Sequence, residues 1–176
     1  FYICFNVHHR IQGLEYQMIH KYSIENWASL QTKLLSLIEN ENLSYRNEGE
    51  LVKSNYAETK EMTYFEKNTA NALSEQFTRF AKDIQKNLSI QRIWFEIQDM
   101  NDVHPMHDHG YVGWSGALYV KYDSTCHTGL FFENNASLQV NEGDICFFPS
   151  HWLHGTLPNK STVRRIIISF NLKEIQ

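Results

Sequence analysis

Cysteine is scarce: Cys4, Cys126 and Cys146 are the only three in 176 residues, they form no CxxC pair, and their number is odd. Neither a zinc ribbon nor a disulfide framework is suggested, and a reducing cytoplasm is the expected compartment. Long apolar runs are missing as well. The Phe1–Val7 run is short, lacks a basic leader and a small-residue cleavage pattern, and no stretch approaches the ~20 residues that span a bilayer. No membrane association is expected. Basic blocks are absent: 16 Lys and Arg against 20 Asp and Glu give a formal charge of -4, and the basic residues are scattered. No stripe tracks a phosphate backbone, so nucleic acid is not an expected partner. The chain has no Gly-x-Ser-x-Gly elbow for a serine nucleophile, and core packing accounts for Cys146. Internal repeats and low-complexity tracts are lacking too.

What is present is a core. With 42% hydrophobic and 14% aromatic residues, the chain can bury one interior and is too short for two ordinary domains. Residues 1–176 read as a single domain, with helical support over 1–89 and a strand-rich core over 90–172. Ile24, Trp27, Leu30, Leu34, Leu37 and Ile38 recur at helical spacing behind Ser23, an expected N-cap, so a helix is predicted over 24–38. A second is predicted over 69–88, where Leu73, Phe77, Phe80, Ala81, Ile84 and Leu88 share a face. The polar segment 40–66 between them reads as a long loop.

From residue 90 the period changes. Ile93, Phe95 and Ile97 alternate with Arg92, Trp94, Glu96 and Gln98, the pattern of a half-buried strand. Strands are predicted near 91–98, 114–122, 128–133, 137–140, 144–149, 153–157 and 163–171, with turns such as Asn141–Asp144 between them. The fold class is mostly β with α: a jelly roll buttressed by two N-terminal helices.

Six of the nine histidines fall between 104 and 154. His107 and His109 are two apart, which in extended chain puts both imidazoles on one face. His154 follows the predicted strand 144–149, whose end a jelly roll can bring beside that pair. Two near ligands and one distant one make a facial triad with open positions, and neutral imidazole suits iron, zinc and copper. Asp108 competes with His109 but has the opposite parity. His104, His127 and His151 are expected behind the ligands, at the rim or in solvent. Tyr111, Trp114, His151 and Trp152 flank the ligands and either line a substrate mouth or pack over the barrel end.

Arg165 stands eleven residues after His154 and opens Arg165-Ile166-Ile167-Ile168-Ser169-Phe170-Asn171, a strand that reads as buried on both faces. A buried guanidinium needs a partner, and a carboxylate fits its planar fork. That carboxylate is either a ligand's or an internal Asp or Glu. Arg164 should face solvent.

Trp94, His107-Asp108-His109 running into Trp114-Ser115-Gly116-Ala117-Leu118-Tyr119-Val120, Thr128-Gly129-Leu130-Phe131-Phe132, Gly143-Asp144 to Phe148-Pro149-Ser150 with His154, and Arg165 to Asn171 together resemble the 2-oxoglutarate–Fe(II) oxygenases of bacteria, phages and marine metagenomes, a group related to the prolyl hydroxylases. The resemblance covers about 94–172. It implies a double-stranded β-helix in which His107, His109 and His154 hold Fe(II) and Arg165 binds the distal carboxylate of the co-substrate 2-oxoglutarate; Tyr119 stands where the related prolyl hydroxylases place a tyrosine that hydrogen-bonds that carboxylate, or else packs as an ordinary barrel-core aromatic. The implied activity is hydroxylation of a substrate with release of succinate and carbon dioxide. One departure stands out: the broad superfamily uses His-x-Asp or His-x-Glu, and an all-histidine site carries less negative charge.

Two other classes fit some of these residues. A metal cupin acting without 2-oxoglutarate shares the Gly143–His154 pattern but should have a glutamate soon after His109, where Tyr111 to Trp114 stand instead. A non-enzymatic β-sandwich would carry the histidines incidentally. The substrate, a small molecule or a peptide, has no legible code; its determinants are expected on 40–66, 100–113 and 150–153. An exposed face on the N-terminal helices leaves room for a homodimer.

Overall fold

A computed structural model describes residues 19–41, 44–45, 52–57, 59–111, 113–133 and 137–175. The Phe1–Val7 run and parts of 40–66 lie outside these. In chain order the elements are β1 (His20–Ser23), α1 (Trp27–Glu39), β2 (Ser44–Tyr45), β3 (Lys53–Ser54), α2 (Tyr64–Ala72), α3 (Ser74–Asp83), β4 (Asn87–Gln98), β5 (His104–His107), β6 (Gly113–Lys121), β7 (Phe131–Phe132), β8 (Asp144–Pro149), β9 (His154–Thr156) and β10 (Arg165–Ile175). They build a seven-stranded sheet in the order β1-β8-β6-β10-β4-β3-β2 and a three-stranded sheet in the order β5-β9-β7. Every named pairing is antiparallel. No described helix is long and apolar enough to cross a membrane.

Period-two alternation sorts the large sheet into two faces. Ile93, Phe95, Ile97, Leu118, Val120, Ile145, Phe147, Ile166, Ile168 and Phe170 pack with Leu34, Ile38, Phe65, Phe77 and Phe80 of the helices in one core. Ala117, Tyr119, Cys146, Phe148 and Ile167 point the other way and join Leu130, Phe132 and Val140 in a second core between the sheets. Burial pushes the Cys146 thiol up to about 12, so it stays protonated and packs as an apolar group.

The strand over 93–98 is buried on both faces, not half-buried as its alternation suggested. Trp94, Glu96 and Gln98 are at most 3% exposed. Their polarity marks the inside of the barrel. The helical support also differs from the two predicted helices. Ser23 ends β1 and its hydroxyl donates to Asp144 Oδ1 at 2.6 Å, while left-handed Asn26 (φ 55°) precedes α1. The 69–88 helix is two helices that begin earlier, at a capping box in which Thr63 accepts from the Glu66 amide and Glu66 accepts from the Thr63 amide. The ladder breaks at Leu73, and left-handed Gln85 (φ 56°) turns the chain into β4, so Leu88 lies on a strand. Between Gly129 and Val140 only β7 and a single Phe131–Ser137 bridge form among the described residues, in place of the two strands expected there.

Phe80 joins the layers. It is fully buried, stacked on Phe147 at 4.1 Å and 15°, and set edge-on to Trp114 at 4.9 Å. Phe80→Ala should therefore lower the unfolding free energy by about 3–5 kcal/mol. Urea denaturation would report this as a lower midpoint with unchanged slope, and an unchanged midpoint would mean that the helices do not stabilise the sheet.

Candidate metal centre

Strand register brings two of the three predicted ligands together. β5 runs antiparallel to β9 with His107 directly opposite His154. Directly opposed side chains in an antiparallel pair are close neighbours, and these rings are 4.5 Å apart. His109 arrives differently from the same-face argument, because β5 ends at His107. The chain then turns: Asp108 Oδ1 accepts from the Gly110 amide at 2.8 Å, and Gly110 is left-handed (φ 66°). This turn leaves Asp108 exposed and swings His109 inward. One ring nitrogen from each of His107, His109 and His154 lies within 4.8 Å of the other two.

The second loop holds His109 in place. Its backbone amide donates to Ser150 O at 2.9 Å, and the Ser150 amide donates to Gly113 O at 3.0 Å. The Ser150 hydroxyl donates to Gly110 O at 2.6 Å and accepts from the Gly113 amide at 3.1 Å. One buried serine thus clamps both sides of the 109–113 turn.

The ligand atoms are oriented by what their other nitrogens do. His107 Nδ1 meets Pro105 O at 2.8 Å and His154 Nδ1 meets Trp152 O at 2.7 Å. A carbonyl only accepts, so both Nδ1 atoms carry the proton and both Nε2 lone pairs are available. Asn171 Nδ2 lies 3.3 Å from His109 Nδ1. Burial pushes His154 down to about 3, aided by His107, His109 and His104 and opposed by the hydrogen bond to Trp152 O. It is a neutral donor at physiological pH. Three imidazoles with ring nitrogens this close together suit a divalent transition ion of the iron, copper and zinc group.

A small cleft opens beside them, walled by Ala117, Leu130, Phe148 and Ile167 and by the polar Glu96, Ser115, Thr156 and Ser169. Arg165 is not among the residues that line this cleft and is fully buried. Its Nε donates to Gln98 Oε1 at 2.6 Å, Nη1 to Thr128 O at 2.6 Å and Nη2 to Leu157 O at 3.1 Å. Burial lowers its pKa, against the influence of Tyr119, Tyr122 and Glu96. No Asp or Glu among the described residues forms an ion pair with it. Arg164, as expected, faces out and pairs with Asp99 at 2.7 Å. Tyr119 is fully buried, accepts from the Leu130 amide at 3.1 Å, and is held protonated chiefly by that burial.

Sequence reading missed Gln98 and Glu96. Gln98 links Arg165 to Thr156, whose hydroxyl accepts from the Gln98 amide at 3.1 Å and from the His104 backbone amide at 3.0 Å. The available signal was a run of polar side chains in phase on one strand. His104 is buried behind His107, and His127 is a structural group whose Nδ1 accepts from the Asp123 amide. Trp114 does not flank the mouth; it packs on the helix side against Phe80. Trp152 lies against Phe132, and only Tyr111 and His151 of that quartet form an exposed rim pair, stacked at 5.3 Å.

No curated protein matches the chain. The family model described as "Putative 2OG-Fe(II) oxygenase" matches residues 132–171, the stretch that contains His154 and Arg165. Among solved structures, the chain is similar to a viral collagen prolyl hydroxylase of Paramecium bursaria Chlorella virus-1 in its 2OG complex (TM-score 0.66, 11% identity, 89% of this chain and 96% of that one). It is also similar to HygX of Streptomyces hygroscopicus with nickel, 2-oxoglutarate and hygromycin B bound (TM-score 0.67, 9% identity, 88% and 82%). A prolyl-4-hydroxylase of Pseudomonas putida aligns with TM-score 0.61 and 10% identity over 90% and 92% of the two chains.

Ser150→Ala would strand the Gly113 amide and the Gly110 carbonyl. It should lower the unfolding free energy by about 1–3 kcal/mol, toward the lower end because that turn is only half-buried. Thermal unfolding of the variant measures it, and an unchanged midpoint would show that the clamp contributes nothing. Residues 132–171 match the model described as "Putative 2OG-Fe(II) oxygenase", and the chain shares the fold of the solved structures above.

Proposed function

We propose that the chain is a non-haem Fe(II)- and 2-oxoglutarate-dependent oxygenase in which His107, His109 and His154 hold the iron and Arg165 receives the distal carboxylate of 2-oxoglutarate. The observation that carries this reading is the coexistence of three convergent imidazoles with a buried guanidinium whose hydrogen-bond acceptors are all neutral. A buried positive charge without a counter-ion is costly, and a bidentate carboxylate is the partner that best offsets it. A metal centre alone does not call for that arginine.

Bound there, Fe(II) and 2-oxoglutarate would supply oxidative decarboxylation to succinate and carbon dioxide, coupled to hydroxylation of a substrate. The chain's own residues position and exclude. Pro105 O and Trp152 O fix two imidazole tautomers, and Ser150 fixes the third ligand's turn. Phe148, Leu130 and Ile167 give the cleft an apolar wall. Tyr119, kept protonated by burial, would supply a hydroxyl to the same carboxylate as Arg165. No side chain need act as a nucleophile.

Anaerobic titration tests this. Fe(II) and 2-oxoglutarate together should give a weak visible charge-transfer band that neither gives alone. Arg165→Ala should raise the 2-oxoglutarate Kd at least about tenfold, near 1.4 kcal/mol, while Fe(II) still binds. His154→Ala should abolish Fe(II) binding. Stoichiometric metal without a band would favour the cupin chemistry, and no metal binding at all would leave a β-sandwich with an incidental histidine cluster.

A further inference from the structure

The three proposed ligands are neutral, whereas a site of the His-x-Asp type balances one of the ion's two positive charges with a ligand carboxylate. The cleft nonetheless contains a carboxylate. Glu96 is the one Asp or Glu among the described lining residues, and it is only 3% exposed. It does not ligate, because the convergent set is His107, His109 and His154 alone. Its Oε2 lies 2.9 Å from His104 Nδ1, and its Oε1 accepts from Trp94 Nε1 at 3.0 Å. Both ring partners press on ligands. The His104 ring stacks on His107 at 4.1 Å and 19°, and the Trp94 ring lies 5.6 Å from that of His109. One carboxylate is therefore wired, one ring away, to two of the three imidazoles.

We propose that Glu96 is the charge-compensating carboxylate of this centre, placed one residue behind the ligands instead of among them. The inference rests on the iron-binding reading above. Charge accounting supports it: with Glu96 ionised and His104 neutral, a divalent ion with three neutral imidazoles and Glu96 has the same net charge as one with two imidazoles and a carboxylate ligand. Adding doubly negative 2-oxoglutarate and Arg165 then sums to zero. At these separations inside a low-dielectric barrel, a unit charge acts strongly on the ion, and partners behind metal ligands tune affinity as well as orientation. Glu96 is accordingly a positioning residue, acting on the centre through His104 and Trp94 and not as one of the convergent ligands.

The test uses the full chain and Fe(II) alone, measured anaerobically by competition with a coloured chelator. Glu96→Gln keeps shape and removes charge, and it should raise the Fe(II) Kd about 10–100-fold. Glu96→Asp, which keeps the charge, should lie closer to wild type. His109→Asp moves a negative charge into the ligand set, and in that background Glu96→Gln should change the Kd by no more than about twofold. Urea midpoints of the metal-free proteins separate folding loss from binding loss. Wild-type affinity in Glu96→Gln would overturn the proposal and leave the oxygenase reading standing. An equal loss with and without His109→Asp would also overturn it, assigning Glu96 to packing. Failure of the unmodified chain to bind Fe(II) would overturn the reading and the proposal together.

Discussion

Strand β10 lies between β4 and β6, pairing with both over nearly its whole length, and the phase of that one strand determines where everything else points. Ile166, Ile168, Phe170 and Leu172 go to the helix-side core. Arg165, Ile167, Ser169 and Asn171 therefore face the other sheet. A one-residue slip would exchange these sets, exposing Arg165 to phenylalanines and putting isoleucines against the histidines. The helices enforce the register, because Phe77 and Phe80 pack against Phe147 and Phe170 only in the observed phase. Far from being an ornament, the helical layer fixes which side chains the barrel interior receives.

That interior is unusually polar for the centre of a β-sandwich, and it is tolerable because its members satisfy one another. Gln98 is the hub. Its side chain accepts from Arg165 and donates to Thr156, and its backbone carbonyl accepts from Asn159 Nδ2 at 3.1 Å. Thr156 reaches β5 through the His104 amide. A continuous hydrogen-bonded line therefore joins the buried guanidinium to the strand that carries His107. Such networks are rigid because breaking one link strands a buried group on each side.

Much of this could be read from the chain. Alternation placed β4, β6, β8 and β10 within a few residues, and the spacing of His107, His109 and His154 anticipated which imidazoles converge. The reasons differed in one case: His109 joins by the Asp108 turn and the Ser150 clamp, not by strand parity. Such a turn depends on a hydrogen bond to a loop 40 residues away, which no local pattern encodes. Glu96 and Gln98 went unrecognised because alternation reveals period and not which face meets water; polar residues on a strand look solvated unless a second sheet is known to cover them. Trp114 was misplaced for the mirror-image reason, its phase sending it to the helices. The Thr63–Glu66 capping box was legible and would have moved the second helix to its true start.

Burial across the centre is uneven, and this fixes the direction of access. His154 is 4% exposed, while His107 and His109 are only half-buried. The closed side is formed by Phe132 and Phe148, whose rings lie 6.4 Å and 4.7 Å from that of His154. Among the described residues, the three imidazoles line the cleft, and Tyr111 and His151 form the exposed rim pair. The Ser150 hydroxyl ties their two loops together through Gly110 O and the Gly113 amide. A preformed rim loses little order when something binds to it, and affinity can then come from contact alone. The same residue that positions His109 also ties the rim loops, so Ser150 links a proposed metal ligand to the entrance.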